Sequence, residues 1–569
     1  MNKILSDVEH IKEKSRHLRG SLLESLANST TGALAEDDTQ LSKFHGIYQQ
    51  DNRDIRSERK RQRLEPAYTF MIRARVPGGL CTARQWLNMD RVATRYANGT
   101  IRLTTRQAFQ LHGVIKSKLK LSIAEINQEM MDTLAACGDV NRNVMAPTLG
   151  NVSSVHRAVQ ADAVALSAHL TPATRAYHEI WLDGEKLEPS ESEPIYGDTY
   201  LPRKFKAAFV IPPQNDVDVF AQDLGFIAIV VGGELIGYNV CVGGGMGMSH
   251  GNPNTYPRLG ELLGFCSTND VLAIAEAVVT TQRDFGDRSD RKHARLKYTI
   301  DDRGIDWFRS QVMDRSSCTL ESARPYVLSG NGDVYGWQQD DSEKWHYLLF
   351  VENGRIVDAG DRQLMSGLRA IAQHHAGVFV LTPNQNVAIC NIKGADKPAI
   401  ESLLQNYGIE NSIHATPLRL HSMACVAFPT CGLAMAESER YLPSLIDSID
   451  TVLANTGLGD EAITIRMTGC PNGCARPFIA EIGLVGKGPG RYNLYLGAGF
   501  SGERLGCLYR ENIDEEEILA ALKPLFEQYA QERNDTERFG DFLVRADVVR
   551  DITKGREFHA ADVTGKVSG

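Results

Sequence analysis

The sequence predicts an α+β chain made of two related halves with pseudo-twofold symmetry. Three observations predict it. The stretch Gly99-Thr-Ile-Arg-Leu-Thr-Thr-Arg-Gln107 matches Gly377-Val-Phe-Val-Leu-Thr-Pro-Asn-Gln385, with glycine, leucine, threonine and glutamine at the same offsets. Val231-Gly-Gly-Glu-Leu-Ile-Gly-Tyr-Asn-Val-Cys-Val-Gly-Gly-Gly245 matches Val485-Gly-Lys-Gly-Pro-Gly-Arg-Tyr-Asn-Leu-Tyr-Leu-Gly-Ala-Gly499 without a gap. Between these stretches, Asp270 to Thr281 and Glu516 to Glu532 carry apolar residues at helical spacing. Two motifs recurring in the same order mark a duplication. Two related halves imply a site at or near the axis between them.

Each element has a local reason. Residues 1–66 read as a polar extension, dense in mixed charge from Asp51 to Arg63. Such a run is ordinarily a solvated face, with a partner-docking arm as the alternative. The first repeat reads as an alternating strand running into a turn. The second reads as a hairpin, with Tyr-Asn opening its second strand. The chain has 569 residues, enough for three or four domains at about 150 residues each. Apolar residues make up 42% and charged residues 23%, so several cores can form without disulfides.

Other features exclude function classes. Acids exceed bases by 71 − 62 = 9, which argues against nucleic acid as the main partner. No apolar run approaches the roughly 20 residues of a membrane span. Met1 to Arg19 mixes Asp7, Glu9 and Glu13 with its bases and lacks an apolar core, so the expectation is a cytoplasmic protein. No Gly-x-Gly-x-x-Gly follows a strand: Gly243-Gly-Gly-Met-Gly-Met248 ends in Met, and Gly486-Lys-Gly-Pro-Gly490 has a proline without an N–H to give a phosphate. With no nicotinamide, flavin or nucleotide motif, any electrons must come from another protein.

The cysteines carry the chemistry. There are 11, an odd number, and seven stand singly: Cys81, Cys137, Cys241, Cys266, Cys318, Cys390 and Cys507. These read as small buried hydrophobes. The other four form Cys425-Val-Ala-Phe-Pro-Thr-Cys431 and Cys470-Pro-Asn-Gly-Cys474. Thiolates are soft ligands that select iron–sulfur clusters, zinc or copper. Structural zinc usually draws on closer pairs, so the wide first spacing favours a [4Fe–4S] cluster over zinc. Thr468-Gly-Cys-Pro-Asn-Gly-Cys474 is a tight loop whose backbone N–H groups could point at sulfur.

The C-x5-C pair together with Thr-Gly-Cys-Pro-Asn-Gly-Cys closely resembles the signature of sirohaem-dependent sulfite and nitrite reductases, as do the duplicated halves. The resemblance runs from about Phe44 to about Val549 and includes Phe44-His-Gly-Ile-Tyr-Gln-Gln50. It implies duplicated ferredoxin-like and mixed α/β modules around a central cofactor site. The expected divisions are a first ferredoxin-like half at 67–145, a sirohaem- and substrate-binding domain at 146–330, a second ferredoxin-like half at 331–415, and a cysteine-bearing domain at 416–569. It also implies that Cys425, Cys431, Cys470 and Cys474 hold one [4Fe–4S] cluster. Cys474 would further ligate the iron of one sirohaem.

The implied reaction is six-electron reduction of sulfite to sulfide, fed by an NADPH-oxidising flavoprotein in a hetero-oligomer. A small dianion that loses oxygen as water needs fixed positive charge and proton donors. Arg73, Arg142, Lys204 and Lys206 match the family's substrate-pocket residues; read alone, each would be a surface base. The eight carboxylates of sirohaem need further partners. The candidates are Arg106, Gln110 and His112, which share one face if the stretch is a strand, with Arg295, Lys297, Asn472 and Arg476. His112 taken alone reads as a satisfied core histidine. A ferredoxin-dependent sulfite or nitrite reductase is the nearest alternative. A non-catalytic iron–sulfur or zinc-stabilised protein is the alternative of another class.

Overall fold

The computed structural model describes residues 4–148, 152–184, 192–410 and 415–560. Two five-stranded sheets form the ferredoxin-like halves, and each borrows a strand from the other. The first runs Ile47–Asp51, Tyr68–Ala74, Phe109–Val114, Ile101–Leu103, and then Arg355–Ile356 from the second half. The second runs Gly336–Gln339, Trp345–Leu349, Val387–Ile392, Val378–Leu381, and then Leu80–Thr82 from the first half. The exchange is symmetric in register. Arg355 pairs with Arg102, and Leu80 pairs with Val380, the residue matching Arg102 in the repeat. Edge strands are thereby covered rather than left open. The helices Ala83–Tyr96 and Leu364–His374 pack on each other, joined by Arg369 Nε to Asp90 at 2.8 Å.

Two further sheets hold the rest of the site. One orders Ala207–Val210, Leu224–Val231, Glu234–Val242 and Glu261–Ser267. The other orders Ser422–Ala424, Ile465–Thr468, Ile482–Gly488, Arg491–Leu496 and Cys507–Ile513. In both, a parallel pair leads into an antiparallel hairpin, and Ala207↔Leu224 corresponds to Ile465↔Ile482. The helical stretches extend as Val271–Phe285 and Glu515–Glu532, the second opened by a capping box of Asp514 and Glu517.

The first repeat folds as the sequence suggests. Thr104 Oγ1 accepts from the backbone N–H groups of Arg106 and Ala108, and Thr382 Oγ1 accepts from those of Asn384 and Asn386. The second repeat is only partly structural. Tyr238 and Tyr492 both lie on the returning strand, and Gly243 and Gly497 share a left-handed φ of 83° and 84°. Tyr238 pairs with Ala228, however, while Tyr492 pairs with Gly486. The first hairpin is longer by four residues, so the gapless Val-Gly match is coincidental.

Residues 4–51 also differ from the expected polar arm. Leu18, Leu22, Leu34, Leu41, Phe44 and Ile47 are core residues, and Ile47–Asp51 joins the first sheet. Lys12 is only 1% exposed; its Nζ donates to the Leu201 carbonyl at 2.8 Å and pairs with Glu9. The apolar residues are spaced singly among charges, so composition hides a segment whose burial depends on partners far along the chain. The helix Arg56–Arg61 does behave as a solvated face and buries no residue. Among the described residues no helix is long and apolar enough to cross a membrane.

Candidate active site between the two halves

The four grouped cysteines come together where the halves meet. Cys425 ends the strand Ser422–Ala424, and its backbone N–H donates to Met467 O at 3.1 Å. Its sulfur accepts from the Gly469 N–H at 3.3 Å, and the Cys470 sulfur accepts from Asn472 Nδ2 at 3.4 Å. Gly469 has no room for a side chain: a Cβ would stand 2.6 Å from Ala436 O and 2.7 Å from Ala427 Cβ. Gly473 adopts a left-handed φ of 61° between the last two cysteines, which favours glycine.

Burial, and then the neighbouring Cys474, pushes Cys425 up to about 12 and Cys431 and Cys470 up to about 11. The thiols therefore keep their protons until a soft cation displaces them. Cys474 is the exposed member of the four. No three or more His, Cys, Asp or Glu among the described residues are placed to hold a single metal ion. The convergent sulfurs, amide donors and side-chain-free cradle suit a cluster with a soft ligand set.

The first half reaches across to brace this loop. Arg102 is buried; it donates to Ala424 O at 2.9 Å and Asn353 O at 3.1 Å, and its Nε pairs with Glu439 at 2.9 Å. Arg53 stacks over the Phe428 ring at 4.3 Å and donates to Cys431 O at 3.0 Å and Ala434 O at 2.6 Å. Thr105 Oγ1 donates to Cys474 O at 3.0 Å. Sequence reasoning missed Arg53 and Arg102, because nothing local distinguishes a surface arginine from one that caps distant carbonyls.

The basic residues gather on the adjoining wall. Phe205 bonds to the Val140–Arg142 backbone, with Phe205 N to Val140 O at 3.0 Å and Arg142 N to Phe205 O at 2.9 Å. This sets Arg142 beside Lys204 and Lys206, which flank Phe205. The lysines lie just before the strand Ala207–Val210. Burial, then Arg203 and Arg295, lowers Lys204 to about 7, and Cys474 is near enough to oppose that shift. Burial, then Lys204 and Arg106, carries Lys206 well below its ordinary value. Arg142 donates from Nε to Gly138 O at 2.8 Å and is hydrogen-bonded to the Tyr48 phenol. Tyr48 lies in the quoted Phe44–Gln50 motif, yet sequence reasoning assigned it no role.

Arg73 is partly buried, and a relay holds it. Its Nη2 donates to Gln110 Oε1 at 2.6 Å, Gln110 Nε2 lies 2.7 Å from His112 Nε2, and His112 Nδ1 lies 3.2 Å from Gln50 Oε1. Because Gln110 Oε1 accepts from Arg73, its amide nitrogen must donate to His112. His112 then carries its proton on Nδ1, toward Gln50. Burial, then Arg355 and Arg102, keeps this imidazole neutral. Gln110 and His112 thus stand behind Arg73 as a buried orienting pair.

Three other cofactor candidates are also internally engaged. Arg106 stands in the turn before the strand Phe109–Val114, not on its face; it donates to Gln222 Oε1 at 2.7 Å, Asn143 O at 2.6 Å and Ala207 O at 3.0 Å. Arg295 precedes the helix Leu296–Arg303 and pairs with buried Asp223 at 2.9 Å, just as Arg538 precedes Phe539–Arg545 and pairs with Glu481 at 2.7 Å. Lys297 is fully buried and donates to the carbonyls of Gly245, Gly247 and Tyr256. Sequence shows the charges but not which distant oxygens accept from them, and the buried Arg106 Nε is left without a partner. Asn472 lies against Gly247 beside Cys470, and Arg476 donates to Thr105 O and Pro383 O at 3.0 Å each.

Comparison with known proteins agrees with this architecture. The nitrite/sulfite reductase ferredoxin-like half domain matches twice, over residues 61–129 and 338–407. The nitrite and sulphite reductase 4Fe-4S domain matches residues 162–320, the copy without the cysteine quartet. The chain is 56% identical over 559 residues to the sulfite reductase [NADPH] hemoprotein beta-component of Staphylococcus saprophyticus, covering 98% of each. It is likewise 56% identical to the protein of that name from Geobacillus kaustophilus, covering 97% of this chain and 98% of that one. The solved structure of Mycobacterium tuberculosis NirA protein shares the fold, with a TM-score of 0.76 at 22% identity, covering 96% of this chain and 98% of that one. With a half-domain in each half of the molecule and relatives this similar across nearly its whole length, the chain belongs to the nitrite and sulphite reductase family of oxidoreductases.

Proposed function

We propose that the chain carries out the six-electron reduction of sulfite to sulfide as the cofactor-bearing partner of an NADPH-oxidising flavoprotein. One observation carries the reading: Lys204 stands within electrostatic reach of Arg142, Lys206 and Cys474, the exposed cysteine of the quartet. Full-length relatives named sulfite reductase [NADPH] hemoprotein beta-component support it.

In this reading Cys425, Cys431, Cys470 and Cys474 would hold a [4Fe–4S] cluster, with Cys474, the exposed one of the four, toward a sirohaem. When bound, these groups would supply the electrons for the anion's reduction. The chain's own residues do the rest. Arg73 and Arg142 supply fixed guanidinium charge for the oxygens of the pyramidal anion. Gln110, His112 and Tyr48 hold those groups in place. Reduction to hydrogen sulfide ion consumes six electrons and seven protons and releases three waters, so proton donors must stand beside the anion. Lys204, lowered to about 7, gives up a proton near neutrality, and an arriving dianion restores its charge.

The test is kcat/KM for sulfite and for nitrite on purified protein, with reduced methyl viologen as donor and sulfide as the assayed product. A preference for sulfite is expected. A strong preference for nitrite, or no turnover by protein loaded with iron and showing sirohaem bands, overturns the reading.

A further inference from the structure

The pseudo-twofold axis relates the basic pocket to a counterpart in the second half. Backbone pairing fixes the equivalence. Leu224 N donates to Lys206 O and Ile482 N donates to Thr464 O, both at 3.0 Å. Thr464 therefore stands where Lys206 does, and Asn384 stands where Arg106 does in the repeated turn. By the same register Asp216 holds the place of Cys474, two residues before Asp218 as Cys474 is two before Arg476. The counterpart has lost these two cations and a thiol.

What fills it is a carboxylate. Asp333, in the segment joining the halves, accepts from Thr382 Oγ1 at 2.7 Å, Asn386 Nδ2 at 2.8 Å, Thr148 Oγ1 at 3.1 Å and Asn384 Nδ2 at 3.2 Å. Three of these donors belong to the duplicated turn, and the fourth comes from the first half. The remaining cavity, lined by Asn331, Asp333, Tyr335, Asn384, Thr464 and Arg466 among others, is about 20 Å³, room for roughly one water. Arg466 is not spare: it is held by Asp218 at 2.7 Å.

We infer that the Thr382–Asn386 turn is an anion-binding site whose resident ligand is the chain's own Asp333 carboxylate. Four neutral donors converging on one carboxylate satisfy its lone pairs without a cation. The class of free ligand that fits is a small carboxylate. With Asp333 in place the pocket is closed to one.

The test uses the purified protein with its cofactors bound and formate as the probe. D333A leaves four donors facing a void, and its Tm should fall by a few degrees. Formate should restore at least half of that loss saturably. Chloride at equal ionic strength should not, and the parent protein should not respond. D333N keeps the volume but removes the charge, so its Tm should also fall and formate should not raise it. Formate stabilising D333A no more than chloride does, or D333N keeping the parent Tm, overturns the inference. Should D333A not fold, D333N decides the matter alone.

Discussion

Asp218 and Arg476 occupy equivalent positions in the two halves and are bound to each other. Each is a left-handed residue, φ 50° and 56°, preceding a short 3-10 helix, Val219–Ala221 and Pro477–Ile479. The Arg476 guanidinium donates to the Asp218 carboxylate, which also accepts from Arg466 at 2.7 Å. Burial disfavours the Asp218 charge, but the two arginines outweigh it and hold the pKa below the usual range. The duplication has thus diverged into opposite charges that lock the halves along their own axis, beside Cys474.

Removing that carboxylate strands two buried guanidinium groups. Asp218→Ala should cost on the order of 3–5 kcal/mol in urea unfolding. Because Arg476 also braces the Thr105 and Pro383 carbonyls, iron content should fall too. A loss under about 1 kcal/mol, with full iron content, would show that the pair is dispensable.

Arg53 clamps the loop bearing Cys431 through two carbonyls and a stacked ring. Arg53→Ala should hasten loss of iron–sulfur absorbance in air severalfold, since each charged hydrogen bond is worth about 1.5–3 kcal/mol. Arg53→Lys should recover little, because a lysine cannot stack on Phe428 and reach both carbonyls at once. Equal decay in the parent and both variants would remove Arg53 from this role.

The Tyr48 phenol is hydrogen-bonded to Arg142. Tyr48→Phe should lower kcat/KM for sulfite about tenfold, the equivalent of about 1.4 kcal/mol, with the cofactor spectrum unchanged. An unchanged kcat/KM would mean that Gly138 and Ala136 position Arg142 unaided.

Asp216 gives stability a pH dependence of definite sign. Burial raises its pKa from 3.8 to about 7, against the Thr148 N–H, with Asp333 adding to the rise. A raised carboxyl binds its proton more tightly when folded, so this contribution is full below about 3.8. It is lost as pH climbs to about 7. At about 1.4 kcal/mol per unit the change is on the order of 4 kcal/mol. Asp216→Asn should remove this slope, so parent and variant should converge at low pH and the variant should be the more stable above pH 7. Parallel stability curves from pH 4 to 8 would refute the assignment.

The sequence by itself determined the class, the duplication and the soft-ligand quartet. Each of these is written in short-range spacing: Thr104 and Thr382 cap their turns through backbone groups two and four residues on, and Gly469 and Gly473 cradle cysteines beside them. It also carried the charges of the basic wall, since Arg142, Lys204 and Lys206 lie in stretches that a single backbone pairing at Phe205 brings together. Only the tertiary structure decided which charges remain available. Arg106, Arg295 and Lys297 stand in the sequence as bare charges, and oxygens up to 116 residues away accept hydrogen bonds from them in the fold. The same holds in reverse for Arg53 and Arg102, whose hydrogen-bond partners lie 251 to 381 residues on. The Val-Gly half of the hairpin match failed because identity at equal offsets says nothing of strand register. Spacing specifies what a residue can do with its neighbours. Whether a buried charge is already satisfied depends on which distant segment folds against it.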